Sequence, residues 1–369
     1  MKSYCKGLRV THELVYQAYE EWLKSESGHK NYWRIEKQYG NIDVLADELV
    51  YEVETRTILF DPIEYHDEVE RNGKIRHIGQ ESVKQQIADY IVLVALDDLI
   101  NAKVGFYQVA SVKGKGPLFA AKTVRKWVKE DNYCYVHGDI KKCYESIKTC
   151  FVYTVMSKYV KSKDIMYLLK KILTTYSKGL GIGSALSLKL SQVILSKAYH
   201  YIEKAGFRYR RGVKVKLVMH QIWYADDFYI FSKHPGYLYN IMRQLYRVFQ
   251  GMHLQIKSWK ICWTNSEPVD IAGYVVREDS ITIRAKIYKR IRRAYLKYDR
   301  HPTNKKARTV CSYWGYLKNT SSRKAIEKNN YYEIFERARL SYPLREPTGD
   351  PKSKTGLVHW FSFQEVAEK

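Results

Sequence analysis

Two adjacent acids, Asp226 and Asp227, lie in the stretch Gln221-Ile222-Trp223-Tyr224-Ala225-Asp226-Asp227-Phe228-Tyr229-Ile230-Phe231. The aromatic and β-branched runs on either side read as strands, which puts the pair at the tip of a tight hairpin. Holding two neighbouring carboxylates out of water without a counter-charge is costly, and a bound cation removes that cost. Magnesium, a hard ion that takes carboxylate and phosphate oxygens, suits such a site. The alternative is an acid-rich turn in solvent, since Asp is common in turns. A third acid weighs against it: Asp139 comes at the end of the strand-like run from Cys134 to Ile140, where a carboxylate can leave the sheet and face a cleft. One acid at a strand end and two on a hairpin can bind two metals about 3.5–4 Å apart for in-line phosphoryl transfer.

Composition fits a polyanionic partner. The 369 residues carry 63 Lys plus Arg against 39 Asp plus Glu, a formal net charge of +24, and each phosphate such a surface neutralises releases counterions. The length allows one large lobed domain or two to three subdomains. The longest clear apolar run, Ile91 to Leu96, is far short of a membrane span, and no apolar stretch follows the first residues, so no signal peptide and no membrane role are expected. Cys5, Cys134, Cys143, Cys150, Cys262 and Cys311 form no CxxC and no zinc spacing, which suits free thiols in a cytoplasmic protein. The 33 tyrosines, interleaved with lysines, suit stacking on bases as well as ordinary packing.

Several elements must position the acids. Helical spacing after Thr11 and again over 42–54 predicts N-terminal helices, and Thr57-Ile58-Leu59-Phe60 predicts a strand stopped by Asp61-Pro62. Asn72-Gly73 predicts a hairpin whose returning strand carries Lys74 and Arg76 on one face. A largely buried helix is expected over 82–101 and another over 118–129, after the Gly-rich loop Lys113-Gly114-Lys115-Gly116. Helices over 151–176 lead to Gly179-Leu180-Gly181-Ile182-Gly183-Ser184, where glycines allow close backbone approach and a Ser cap starts the next helix. A basic alternating hairpin over 207–219 precedes the acid pair, an amphipathic helix over 237–250 follows, and the chain from 282 to 344 reads as helical and strongly basic. The stretch from Pro343 onward reads as a tail.

Together these motifs resemble a reverse transcriptase. Tyr224-Ala225-Asp226-Asp227 matches that family's YxDD box, and Asp139, followed five residues later by Tyr144, matches its first catalytic motif. Lys74, Arg76 and Ile78 fit the K-x-R-x-L/I segment of group II intron-type enzymes. The Ile182-Gly183-x-x-x-Ser187 loop fits the second motif, Leu254-Gln255-Ile256 with Lys260 fits L-x-L-x-x-x-K, and Asp270 to Val276 partly fits the primer-grip hairpin. The resemblance implies an α+β right-hand polymerase. N-terminal helices and fingers, with palm interleaved, would occupy 1–134; a palm of antiparallel sheet plus helices 135–279; a helical basic thumb 280–345; and a C-terminal tail 346–369.

The implied reaction is RNA-templated DNA synthesis, in which a primer 3′-hydroxyl attacks the α-phosphate of a dNTP with two Mg2+ ions, Mn2+ being a substitute. Asp139, Ile140, Asp226 and Asp227 would hold the metals, and Lys260 would donate a proton to the departing pyrophosphate. Lys74, Arg76, Ile140, Tyr144, Ile182, Gly183 and Tyr224 would bind the nucleotide, with Tyr144 beneath the sugar excluding a 2′-hydroxyl. Expected partners are an RNA template, a DNA or RNA primer, dNTPs and an accessory protein or structured non-coding RNA. With little chain beyond the thumb for an RNase H or endonuclease domain, a compact prokaryotic or phage enzyme is expected. Its second motif is similar to that of diversity-generating retroelements, although Leu188 stands where their pattern has Gln. Alternatives are a stand-alone antiphage-defence reverse transcriptase and an RNA-directed or untemplated nucleotidyltransferase on the same palm.

Overall fold

The computed structural model describes residues 2–69, 73 and 75–341. Lys74 and the expected tail over 346–369 lie outside the described residues. Four helices come first, α1 (His12–Leu23), α2 (Glu26–Asn31), α3 (Trp33–Tyr39) and α4 (Ile42–Glu54). Thr11, Ser25 and Asn41 cap α1, α2 and α4 by accepting from the N–H groups of Leu14, Gly28 and Val44, which satisfies donors that the first helical turn leaves unpaired. The hairpin β1 (Glu64–Val69) and β2 (Ile75–Gln80) follows, then α5 (Val83–Ala95), α6 (Asp97–Lys103) and α7 (Pro117–Glu130). The middle of the chain forms β3 (Cys134–Ile140), α8 (Cys143–Ser146), α9 (Thr149–Tyr159), α10 (Lys163–Thr175) and α11 (Ala185–Ala205). Next come β4 (Phe207–Arg210), β5 (Val213–Lys216), β6 (His220–Tyr224), β7 (Asp227–Ser232), α12 (Pro235–Gln250) and β8 (Ile256–Trp263). The described chain closes with β9 (Val269–Ile271), β10 (Tyr274–Val276), β11 (Ile281–Ile283), α13 (Ala285–Arg300), α14 (Asn304–Lys318), α15 (Arg323–Lys328) and α16 (Tyr331–Ser341). Helices and strands alternate without a repeating βαβ order, so the fold is α+β.

Two sequence expectations fail locally. The single helix over 82–101 is two helices, α5 and α6, because Leu96 departs from helical geometry at φ −99° and ψ 5°. Thr57 to Phe60 forms no strand; Ile58 alone of the four is buried and Leu59 is exposed. β-branched composition does not make a strand where one side chain in four has a core to enter.

The chain divides into two compact units that interleave along the sequence. The first takes the chain up to Phe106, Asp139–Ala205 and Ile241–Ser258. There α1 packs on α5 and α4, and α10 on α5 and α9, around the fully buried side chains of Trp22, Leu49, Ile87, Ile91 and Leu169. The second takes Tyr107–Gly138, Gly206–Asn240 and the described chain from Trp259 onward. Its framework is a four-stranded sheet in the order β6-β7-β3-β8 and a three-stranded sheet in the order β11-β10-β9. Helix α7 packs on β9, β10, β11 and β6, and the core is aromatic: the Phe231 ring meets Trp127 edge-on and stacks on Tyr135, each at 5.6 Å. Helices α13, α14 and α16 enclose a second core of Ile291, Tyr295, Val310, Leu317 and Tyr331. Lys286, Lys289, Arg292, Arg293 and Lys297 of α13 stay exposed. Among the described residues no helix is long and apolar enough to cross a membrane.

Candidate active site

The hairpin expected around the acid pair is present. Strands β6 and β7 pair from His220 with Phe231 to Tyr224 with Asp227, leaving Ala225 and Asp226 as a two-residue turn. Ala225 sits at φ 56°, at the position where a tight hairpin turn favours glycine, so the turn holds backbone strain beside the acids. Asp226 and Asp227 are both half-buried. The Tyr224 ring packs on the aromatic core of the second unit, and burial, then Tyr316, raises its phenol above the usual range.

Asp227 has a partner that sequence reasoning missed. The Nε2 of His137 donates to Asp227 Oδ1 at 3.0 Å, and the imidazole stacks on the Tyr229 ring at 4.5 Å. One residue on, a Cβ on Gly138 would fall 2.2 Å from the Phe228 ring, so glycine is required for β3 to approach β7 this closely. Strand alternation gives His137 and Asp139 a common face, and that parity was the available signal. The Tyr229 hydroxyl donates to the Asp270 carbonyl at 2.6 Å, and Arg284 grips the Asp270 carboxylate with two nitrogens at 2.6–2.9 Å. Asp270 precedes the β9–β10 turn, where Ala272 and Gly273 both have positive φ, 47° and 92°.

In the first unit, the Asp139 carboxylate accepts from Lys257 Nζ at 2.8 Å, and Lys141 N–H donates to the Gln255 carbonyl at 2.8 Å. Lys257 and Lys260 are three residues apart on β8, which points them to opposite faces. Lys260 instead donates to Glu267 Oε2 at 2.6 Å, a hydrogen bond that raises its pKa.

Past Asp139 the chain turns through Lys142 at φ 45° into the one-turn helix α8, which carries Tyr144. The Tyr144 carbonyl accepts from Leu180 N–H at 2.9 Å. A Cβ on Gly179, at φ 57°, would fall 2.4–2.5 Å from the Tyr144 and Glu145 carbonyl oxygens, so only glycine permits this contact. The Ile182 carbonyl in turn accepts from Gly79 N–H at 3.1 Å. The result is a cavity of ≈ 980 Å³ in the first unit, lined by Arg76, Ile78, Tyr144, Ile182 and Gly183 among others. Four residues named from separate stretches of sequence, Arg76, Tyr144, Ile182 and Gly183, thus meet in one place.

Behind that loop lies a buried polar cluster that sequence reasoning missed. Ser184 caps α11 by accepting from Ser187 N–H, and its hydroxyl donates to Asp89 Oδ2 at 2.6 Å. The Tyr176 hydroxyl donates to Glu81 at 2.8 Å. Asp89 and Glu81 are 1% and 7% exposed. Burial first, then the neighbouring Glu81 charge, pushes the Asp89 carboxyl well above its ordinary range, which favours its protonated form. Burial raises Glu81 as well.

Raised folded pKa values mean that the native state binds this proton more tightly than the unfolded chain. The resulting stability is complete below the unfolded carboxylate range, near pH 4, and is lost as pH rises through the raised values. Asp89→Asn keeps an oxygen for Ser184 and an N–H for Glu81 but cannot ionise. Denaturant unfolding should show the variant within about 1 kcal/mol of wild type near pH 5 and more stable than it at alkaline pH. A wild-type pH profile that the substitution leaves unchanged would contradict the raised Asp89 pKa.

Carboxylate oxygens are the donors a hard divalent ion takes, and Asp139 already holds a cation, the Lys257 ammonium. The donor chemistry therefore fits a divalent metal. Among the described residues no three His, Cys, Asp or Glu side chains form one metal-binding cluster, and Asp139 belongs to the first unit whereas Asp226 and Asp227 belong to the second.

Residues 66–276, more than half the chain, match the family model described as reverse transcriptase (RNA-dependent DNA polymerase), and the chain belongs to that family. It is accordingly an RNA-dependent DNA polymerase, which acts on a nucleic-acid template and primer with dNTPs. No curated protein matches it.

Proposed function

We propose that this reverse transcriptase works as a right-hand polymerase in which Asp139, Asp226 and Asp227, with the Ile140 carbonyl, hold two divalent cations. The observation that carries the reading is the cavity that unites Arg76, Tyr144, Ile182 and Gly183. Support for the carboxylates comes from β3: His137 and Gly138 lie against Asp227 and Phe228, and Asp139 is the next residue. Two Mg2+ ions, or Mn2+ in their place, supply neutralisation of charge on the transferring phosphoryl group and activation of the primer hydroxyl.

The chain's own residues do the rest. Arg76, with Lys74, clamps the triphosphate through its planar fork. The Tyr144 ring lies under the sugar, where a 2′-hydroxyl would collide with it. Gly183, at φ 112°, lets backbone approach the nascent pair, with the apolar Ile182 beside it, and Tyr224 supports the acid turn from below. Lys260 donates a proton to pyrophosphate once it exchanges Glu267 for phosphate. In this layout the N-terminal helices and fingers over 1–134, with palm interleaved, precede the palm over 135–279 and the thumb over 280–345, and the exposed cations of α13 track the duplex backbone.

The pathway this reading favours is a diversity-generating retroelement. An aliphatic Ile182 packs in the cavity but offers no side-chain hydrogen bond to the nucleotide, and losing one polar contact lowers discrimination between right and wrong pairs by about ten- to a hundredfold. Primer extension on an RNA template with the four dNTPs tests the function. DNA complementary to the template is expected, with raised misincorporation. Products whose sequence ignores the template would instead establish an untemplated transferase, and equal fidelity for wild type and Ile182→Gln would favour a defence enzyme.

A further inference from the structure

The ribbon formed by β4 and β5 is not accounted for by the polymerase reading. Its register pairs Phe207 with Lys216, Arg208 with Val215, Tyr209 with Lys214 and Arg210 with Val213. The turn residues Arg211 and Gly212 both have positive φ, 50° and 78°, the geometry that matches strand twist in a two-residue hairpin. Five cations, Arg208, Arg210, Arg211, Lys214 and Lys216, fall within ten residues, and no acid occurs between Glu203 and Asp226. None of the five makes an ion pair among the described residues, and all are exposed. Each strand cation faces an aromatic ring or a valine across the ladder, which avoids like-charge pairs. Lys214 lies over the Phe207 ring at 4.2 Å, and Arg208 over Tyr237 at 5.4 Å, but Tyr209 remains 74% exposed.

The ribbon's position separates it from the acid turn. It is fastened at its base, where Leu217 N–H donates to the Gly206 carbonyl at 2.7 Å and Ser232 to the Leu217 carbonyl at 2.6 Å. That base adjoins the start of β6, whereas Ala225 and Asp226 lie beyond its other end. The five residues of β6 span about 17 Å. A charged arm this far from the carboxylates does not serve the incoming nucleotide.

We infer that the β4–β5 ribbon is a second RNA-binding element, which holds phosphates of an unpaired or looped RNA segment with its Arg and Lys side chains while Tyr209 stacks on a base. Phosphate contact accounts for the cations and stacking for an exposed ring, the pairing used on unstacked RNA. The choice of RNA over DNA rests on the proposed function. The segment belongs either to the template beyond the copied stretch or to a separate structured RNA, and both present the same chemistry.

The test measures binding of the full chain, without dNTPs, to a stem-loop RNA lacking a primer, over a range of salt. The variant Arg208→Gln/Arg210→Gln/Lys214→Gln/Lys216→Gln should lose at least about tenfold in affinity, and its log–log salt slope should fall by about 3, as four phosphate contacts predict. Arg208→Lys/Arg210→Lys, which keeps the charge, should bind within about threefold of wild type. Tyr209→Ala should weaken binding without changing the slope. Attaching the same stem-loop to a short template–primer should strengthen wild-type binding if the segment is template, and leave it unchanged if it is a separate RNA; either result supports the inference. Unchanged affinity and slope in the quadruple variant, with an unaltered unfolding midpoint, would overturn it. So would loss of binding to anionic lipid vesicles with RNA affinity intact. Extension of the short template–primer should be unaffected by the four substitutions. A wild type that extends no primer yet binds RNA through the ribbon would sink the polymerase reading alone.

Discussion

Asp226→Asn is expected to abolish primer extension while leaving the fold intact. The substitution preserves size and hydrogen-bonding capacity but removes the charge from the second residue of the β6–β7 turn. A carboxylate that helps stabilise a developing phosphoryl charge is worth about 4 kcal/mol in the transition state, so the rate should fall roughly a thousandfold. Asp226 is half-buried at a turn tip, and Asn is isosteric with it, so the unfolding midpoint and RNA affinity should stay close to wild type. Single-nucleotide extension measured beside thermal unfolding checks both. Activity within tenfold of wild type would remove Asp226 from the catalytic machinery. Asp139→Asn should behave alike.

The second large effect is expected from Tyr144→Ala. Tyr144 lines the first-unit cavity, and its carbonyl is held by the Leu180 hydrogen bond. Discrimination by an aromatic wall is a steric clash with the 2′-hydroxyl, a repulsive element whose removal admits the wrong substrate without weakening the right one. The preference for dNTPs over rNTPs should fall by about a hundredfold, mainly through faster ribonucleotide incorporation, as about 2–3 kcal/mol of clash is relieved. The ratio of the two incorporation efficiencies measures it. An unchanged ratio would make Tyr144 a packing residue.

Sequence made legible whatever depended on local pattern. Aromatic and β-branched runs on both sides of Asp226 and Asp227 located the hairpin, and the glycines at 179–183 marked a loop that allows close backbone approach, as Gly179 shows against the Tyr144 carbonyl. What depends on pairing between distant segments was not legible. Lys257 meets Asp139 while Lys260 meets Glu267, and the first contact joins segments more than a hundred residues apart, which no local pattern announces. His137 was passed over because its role needs β7 as a neighbour. The raised pKa values of Asp89 and Glu81 follow from burial beside α5, α11 and the 176–184 loop. The break at Leu96 escaped periodicity because both α5 and α6 continue the same apolar pattern across it.

Mn2+ binding tests most directly whether the three acids form one metal centre. Titrating the ion into the full chain with template–primer and a non-hydrolysable dNTP analogue, and following its spin-resonance signal, counts the ions bound without requiring turnover. Two ions per wild-type chain are expected, with at least one lost in Asp139→Asn and likewise in Asp226→Asn. If the wild type binds none, or if the count survives either substitution, Asp139 and Asp226 do not hold the metals.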